Sequence, residues 1–310
     1  METTPEFDAF GPWIYEVRTP EEVPPLYRAH ATDLQAARLV LKVPRPIERR
    51  NATPTMHLYD HLLVAGPDAL TVLSRDGERY RELSVPYGRI GAVQLSVSLL
   101  DGRLRILDAT PGSGGEVLAM AFNGVSLGAV EQLVDLLLEQ AQAQGQSQVH
   151  GGHAAPAAAP PGVPAGTWSV GGSDVALVVA YRELVERHPG LVRLADHARV
   201  PVARRSGTWA ARLLDRWWPI TLHAAVVAYA PGRVEVLHRR EPLTPRGRPT
   251  HSIARTTLLT AAVTAVALTP HPAYAGALAC RVSVGDGVVQ LVLPEGAPTV
   301  RALREALAAG

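Results

Sequence analysis

Gly66-Pro67-Asp68-Ala69-Leu70-Thr71-Val72-Leu73 is the stretch on which the fold turns. A Gly-Pro-Asp turn separates two apolar runs, residues 61–65 and 70–74, which is a hairpin signal. The pattern returns 164 positions later as Ala230-Pro231-Gly232-Arg233-Val234-Glu235-Val236-Leu237. Working outward from the first copy, Arg75-Asp76-Gly77 makes a second turn and residues 80–85 continue the meander. Residues 90–99, the Asp101-Gly102 turn, residues 103–107, the tip at Gly112 to Gly115 and residues 117–122 add further short strands. Ser126 reads as the N-cap of a closing helix that reaches about Gln142.

Other pieces recur in the same order. Tyr27-Arg28 returns as Tyr181-Arg182, and Pro46-Ile47-Glu48-Arg49-Arg50 returns as Pro201-Val202-Ala203-Arg204-Arg205. Each half also ends in an apolar-periodic helix, with Leu127, Val130, Leu133, Val134 and Leu137 in the first and Val300, Leu303 and Leu307 in the second. The spacing between copies grows along the chain, as loops lengthening after a duplication would make it. Between the halves, residues 141–166 are Gln/Gly-rich and then Ala/Pro-rich, a composition that builds no core. The expected organisation is therefore a first domain over residues 1–140 with an N-terminal arm, a linker over 141–166, and a second domain over 167–310 with its own arm. The arms span residues 20–57 and 173–219, and Ser173 is placed to cap a helix over 174–188 stopped by Pro189-Gly190.

The order of strands and closing helix resembles the pleckstrin-homology-like fold, over residues 58–140 and more loosely 220–309. That resemblance implies an α+β, mainly β chain: two duplicated antiparallel meander or barrel domains, each closed by a C-terminal helix, as in tandem bacterial proteins of this class. It also suggests phosphoinositide binding, which in lipid-binding members uses basic residues in the loop of the first hairpin. Here the corresponding turns are Gly66-Pro67-Asp68-Ala69, with no cation, and Ala230-Pro231-Gly232-Arg233, with one. The departure argues against peripheral lipid contact.

Composition bounds the rest. Hydrophobic residues form 47% and charged residues 19% of 310, a globular balance that excludes a disordered chain. The start Met1-Glu2-Thr3-Thr4-Pro5 lacks a basic residue followed by an apolar run, so a cytoplasmic location is expected. The most apolar stretch, residues 258–268, is too short to span a bilayer, which needs roughly 20 apolar residues. Cys280 is the sole cysteine, which rules out an internal disulfide; its apolar neighbours make it a buried small hydrophobe. Residues 1–140 carry 13 basic and 19 acidic side chains, a balance of −6, leaving +7 for the remainder. Such asymmetry suits attraction between the halves, or an anionic partner for the second.

The chemistry-bearing residues are few. His57 and His61 lie four apart beside Asp60, with Asp33 a further carboxylate, a set that suits a transition metal and hence a metal-dependent hydrolase. The histidines His150 and His153 lie in the linker. No Gly-x-Ser-x-Gly elbow or P-loop is present, and Gly112 to Gly115 reads as a hairpin tip. Trp217 and Trp218 read as core of the second domain. Arginine forks are the main polar feature: Arg45, Arg49 and Arg50 in the first arm, and Arg204 and Arg205 in the second. They suit carboxylate or phosphate recognition, or docking of each arm on its own domain. Around a Pro/Gly loop, Arg239, Arg240, Arg246, Arg248 and Arg255 offer a nucleic-acid surface. With no catalytic set beyond the histidines, the leading expectation is a non-enzymatic binding or scaffolding protein that needs no cofactor and recognises a protein partner or itself. The alternatives are the hydrolase and the nucleic-acid binder.

Overall fold

The computed structural model describes residues 4–149, 162, 167–205, 219–248 and 250–308. Trp217, Trp218, His150, His153 and most of the expected linker lie outside them. Strand outweighs helix, 44% against 26%, in several antiparallel sheets, so the chain is α+β and mainly β. In chain order the elements begin α1 (Pro5–Ala9), β1 (Tyr15–Glu16), β2 (Leu39–Pro44), β3 (Tyr59–Ala65), β4 (Ala69–Asp76), β5 (Arg79–Pro86), β6 (Ile90–Ser98), β7 (Asp101–Asp108), β8 (Glu116–Asn123) and α2 (Leu127–Val149). They continue α3 (Val175–Arg187), β9 (Val192–His197), β10 (Val200–Arg204), β11 (Ile220–Leu222), β12 (Ala225–Ala230) and β13 (Arg233–His238). The last are β14 (Leu243–Pro245), β15 (Ser252–Leu259), β16 (Val263–Pro270), β17 (Tyr274–Ala275), β18 (Ala277–Val284), β19 (Gly287–Pro294) and α4 (Pro298–Ala308). Two compact units interleave along the chain: Met1–Ile90, Leu99–Ile106 and Glu116–His153 form one, while Gly91–Ser98, Leu107–Gly115 and Ala154–Gly310 form the other.

In the first unit the hairpin of the opening stretch forms as its turn residues require. Gly66 N donates to Ala69 O at 3.0 Å, and Ala65 pairs with Leu70. Tyr87, wholly buried, donates its hydroxyl to Gly66 O at 2.6 Å and fastens the turn. The sheet runs β1-β2-β3-β4-β5, all antiparallel. Along α2, Val130, Leu133, Val134, Leu137 and Leu138 are wholly buried at helical spacing, each contributing about 1.5–3 kcal/mol. The helix runs past the expected end at Gln142, because Gln144 has partners there. Its side chain accepts from Gly88 N at 2.7 Å and donates to Asp68 O at 3.2 Å. Ser126 is not the cap of this helix: its hydroxyl accepts from Ile14 N at 2.9 Å, and Asn123 caps a preceding turn of 3-10 helix by accepting from Val125 N.

The second unit is built on the run β6-β15-β13-β12-β9. The second hairpin closes on Pro231-Gly232, with Ala230 paired to Arg233 and Gly232 at φ +81°, a backbone that favours glycine. Leu177 and Leu184 of α3 pack with Val226, Ala228 and Leu237 on one face of this sheet. Val227, Val234, Val236 and Leu258 pack on the other with Val282, Leu291 and the α4 residues Leu303 and Leu307. Both faces are covered, which is why β12 is apolar along its whole length. Smaller sheets follow the orders β16-β18-β19 and β14-β11-β10-β17. Gly115, at φ +75°, passes so close to Gly287 that a Cβ would meet its backbone nitrogen at 2.5 Å, so the glycine-rich tip is a packing device. Ser173 does not cap α3; its carbonyl accepts from Arg199 Nη2 at 3.0 Å.

Candidate functional site

Of the polar residues of the first arm, Arg49 ties it to the N-terminal segment. Arg49 donates to the carbonyls of Phe10 and Asp8, the latter at 3.2 Å, and lies over the Phe7 ring at 5.4 Å. Arg50 pairs with Glu48 in solvent. Arg45 donates to His57 O at 3.2 Å and shares Asp60 with Arg75, whose Nε lies 2.8 Å from the carboxylate. His57 Nε2 meets Glu78 at 3.1 Å, whereas His61 Nδ1 meets Ser74 at 3.0 Å. Asp33 accepts from Gln35 N and Ala36 N. Among the described residues no three of His, Cys, Asp and Glu gather as a metal would require. Burial holds the His61 pKa below its ordinary value.

In the second unit the arginines divide into buried and exposed sets. Asp174, wholly buried at the start of α3, accepts from Arg239 Nε at 2.8 Å and Arg199 Nη2 at 2.9 Å. Burial works to raise the Asp174 pKa, yet the hydrogen bonds and charges of the two guanidiniums prevail and hold it below the ordinary range. Arg239 also donates to Ser252 O at 2.7 Å. Glu235 on β13, wholly buried, accepts from Arg255 Nη2 at 2.9 Å and Thr257 at 2.7 Å, while Arg233 Nε lies 3.4 Å away. Arg239 and Arg255 are therefore spent on internal carboxylates, and Arg240 is half-buried. Arg204, Arg205, Arg246 and Arg248 are exposed.

Neither buried carboxylate announces itself in the sequence. Asp174 resembles a capping residue, and Glu235 sits in an alternating strand where an outward side chain is the default. Two further buried groups join Asp174. His197 contacts Thr299 at 2.8 Å and His223 O at 3.2 Å; His223 Nε2 contacts Thr244 at 2.6 Å and Thr250 at 3.2 Å. His223 Nδ1 has no hydrogen-bond partner among the described residues. Burial lowers the pKa of both rings, and of His238. Cys280 is wholly buried, and its thiol is pushed up to about 11, far from the thiolate a nucleophile needs.

The surface feature with the clearest capacity to bind is a strand edge. β16 ends the three-stranded sheet, and its sequence Val-Thr-Ala-Val-Ala-Leu-Thr-Pro carries no charge. Val266 and Leu268 turn inward against the core, which fixes the strand's register, while Thr264, Ala265, Ala267 and Thr269 are exposed. Val263 N donates to Thr260 O, and among the described residues the rest of the strand's hydrogen bonds go to β18, including Thr264 to Ser283 O at 3.3 Å. The outer row of backbone N–H and C=O groups is open to another strand. The corresponding edge of the first unit, β5, carries Arg79, Arg81 and Glu82.

No family model, curated protein or solved structure matches the chain. No helix among the described residues is long and apolar enough to cross a membrane.

Proposed function

We propose that the chain is a non-enzymatic binding and scaffolding protein of the cytoplasm that self-associates by strand pairing along β16. The observation that carries this reading is the uncharged, open, eight-residue edge. Antiparallel pairing of β16 with its counterpart in a second copy is isologous and opposes no like charges. The joint is roughly 26 Å long, at about 3.3 Å per residue. So small an interface makes a weak, reversible dimer. The pleckstrin-homology-like kinship and the duplication belong to the same proposal. They are supported by the matching antiparallel runs β2-β3-β4-β5 and β9-β12-β13-β15.

Sedimentation velocity over a concentration series tests the reading, using wild type and the exposed double variant Ala265→Lys/Ala267→Lys. The expected result is a concentration-dependent dimer for wild type and a monomer with unchanged melting for the variant. A wild type that stays monomeric at every concentration, or a variant that pairs equally well, overturns it.

A further inference from the structure

Arg205, Arg246 and Arg248 follow strands that leave the sheet β14-β11-β10-β17 at one end. The register sets Val202 beside Ile220 and Ile220 beside Pro245, so β10 and β14 leave the sheet at the same end, delivering Arg204-Arg205 and Arg246-Gly247-Arg248 together. The backbone there is firmly tied: Arg246 N donates to Pro219 O at 2.8 Å, and Arg205 N to Ala273 O at 2.9 Å. Arg205 Nε also donates to His271 O at 2.8 Å. Burial, together with the Arg205 charge, holds the His271 pKa low.

The four strands of this sheet contain no Asp or Glu, and Glu241 precedes β14 at the opposite end. Among the described residues none of Arg205, Arg246 and Arg248 has an ion-pair partner, although all three are exposed. Elsewhere in this unit Arg199, Arg239 and Arg255 are paired with Asp174 and Glu235, so those arginines are not available to a ligand. No large apolar side chain of this sheet is exposed among the described residues.

We propose that this end of the sheet binds the phosphodiester backbone of nucleic acid, without base recognition. Guanidinium forks match phosphate oxygens two at a time, and positive charge without internal partners is what backbone binding requires. Three neutralised phosphates give a slope of log K against log salt of about −2 for single strands and about −2.7 for duplex. The affinity then falls roughly 20- to 40-fold between 50 and 200 mM salt.

The test is fluorescence anisotropy with the full chain and labelled single-stranded and duplex oligonucleotides at both salt concentrations. Wild type should bind with that salt dependence. Arg246→Gln/Arg248→Gln, whose side chains make no described contact, should lose about tenfold or more and flatten the slope, with unchanged melting. Adding Arg205→Gln should deepen the loss, while Arg79→Gln/Arg81→Gln on β5 should bind as wild type does. Ala265→Lys/Ala267→Lys should also bind undiminished, which separates this site from the dimer joint. Absence of binding at 50 mM salt, equal binding by the double variant, or binding only to phosphatidylcholine vesicles containing phosphatidylserine overturns the proposal.

Discussion

The hairpins β3-β4 and β12-β13 share a sequence pattern and strand order and both bury apolar side chains, yet only the second also buries charged ones. In the first, Leu62, Leu63, Leu70, Val72 and Leu73 are all at most 2% exposed, and the charged residues nearby stay at the surface or half-buried. In the second, Glu235 is wholly buried against Arg255, and in the same unit Asp174, at the start of α3, is wholly buried against Arg199 and Arg239. An apolar hairpin gains stability by area alone, and loses it gradually as atoms are removed. A buried ion cluster depends on every member, because removing one strands the charge of another.

The largest effect that tests this contrast is Asp174→Asn. Arg199 and Arg239 would then lack their carboxylate, and the second unit should lose about 3–5 kcal/mol, seen as a lower denaturant midpoint for its transition while the first unit's transition holds. Glu235→Gln should fall in the same range. A loss below about 1 kcal/mol in both would mean that solvent or neighbouring groups already neutralise these arginines, and the contrast between the units would collapse.

Acid should separate the units next. The pKa values of His197, His223 and His238 are lowered by burial, so the folded second unit binds fewer protons than its unfolded chain. The stability they confer is complete above the unfolded value near 6.5 and is lost as pH falls from there through the folded values. Among the described residues the first unit has one such group, His61. Unfolding followed by tryptophan fluorescence and hydrogen exchange should show the second unit destabilised more steeply between neutral pH and pH 5. Parallel losses in both units would remove the histidines from the account.

The arginine pairs give the smallest effects. Arg49→Gln removes two hydrogen bonds to carbonyls of the N-terminal segment and should cost the first unit about 1–2 kcal/mol. Arg50→Gln, facing solvent beside Glu48, should stay within about 0.5 kcal/mol. Equal effects of the two would contradict the assignment of Arg49 as the residue that ties the arm.

Local signals made much of the strand inventory legible. Gly66-Pro67-Asp68 marks a turn in the sequence, and β3 and β4 lie close to where it puts them; the turn expected at Asp101-Gly102 falls instead at Leu99-Leu100, with Leu99 at φ +55°, and Asp101 and Gly102 open β7. Partnership was not legible. Residues 90–98 look like the strand that pairs with β5, yet β5 ends its own sheet and β6 pairs with β15, Val93 lying beside Thr257. No local pattern encodes a pairing across such a separation. The repeated arginine motif shows the same limit: Arg49 and Arg50 lie in a turn of 3-10 helix, whereas Arg204 lies on β10, so similar sequence serves different backbones. The exposed cluster of Arg205, Arg246 and Arg248 needed the register of three strands before it could be recognised. The open edge was readable only as an apolar stretch, since neither the neighbour of β16 nor the lack of one is written in its residues.

Hydrogen exchange of the peptide covering residues 263–270, read at high and low protein concentration, tests the strand-pairing claim most directly. Amides of β16 that point away from β18 should be protected in concentrated wild type and exchange faster on dilution. The same amides in Ala265→Lys/Ala267→Lys should exchange fast at every concentration. Exchange that is independent of concentration in wild type and matched by the variant would contradict pairing along this edge.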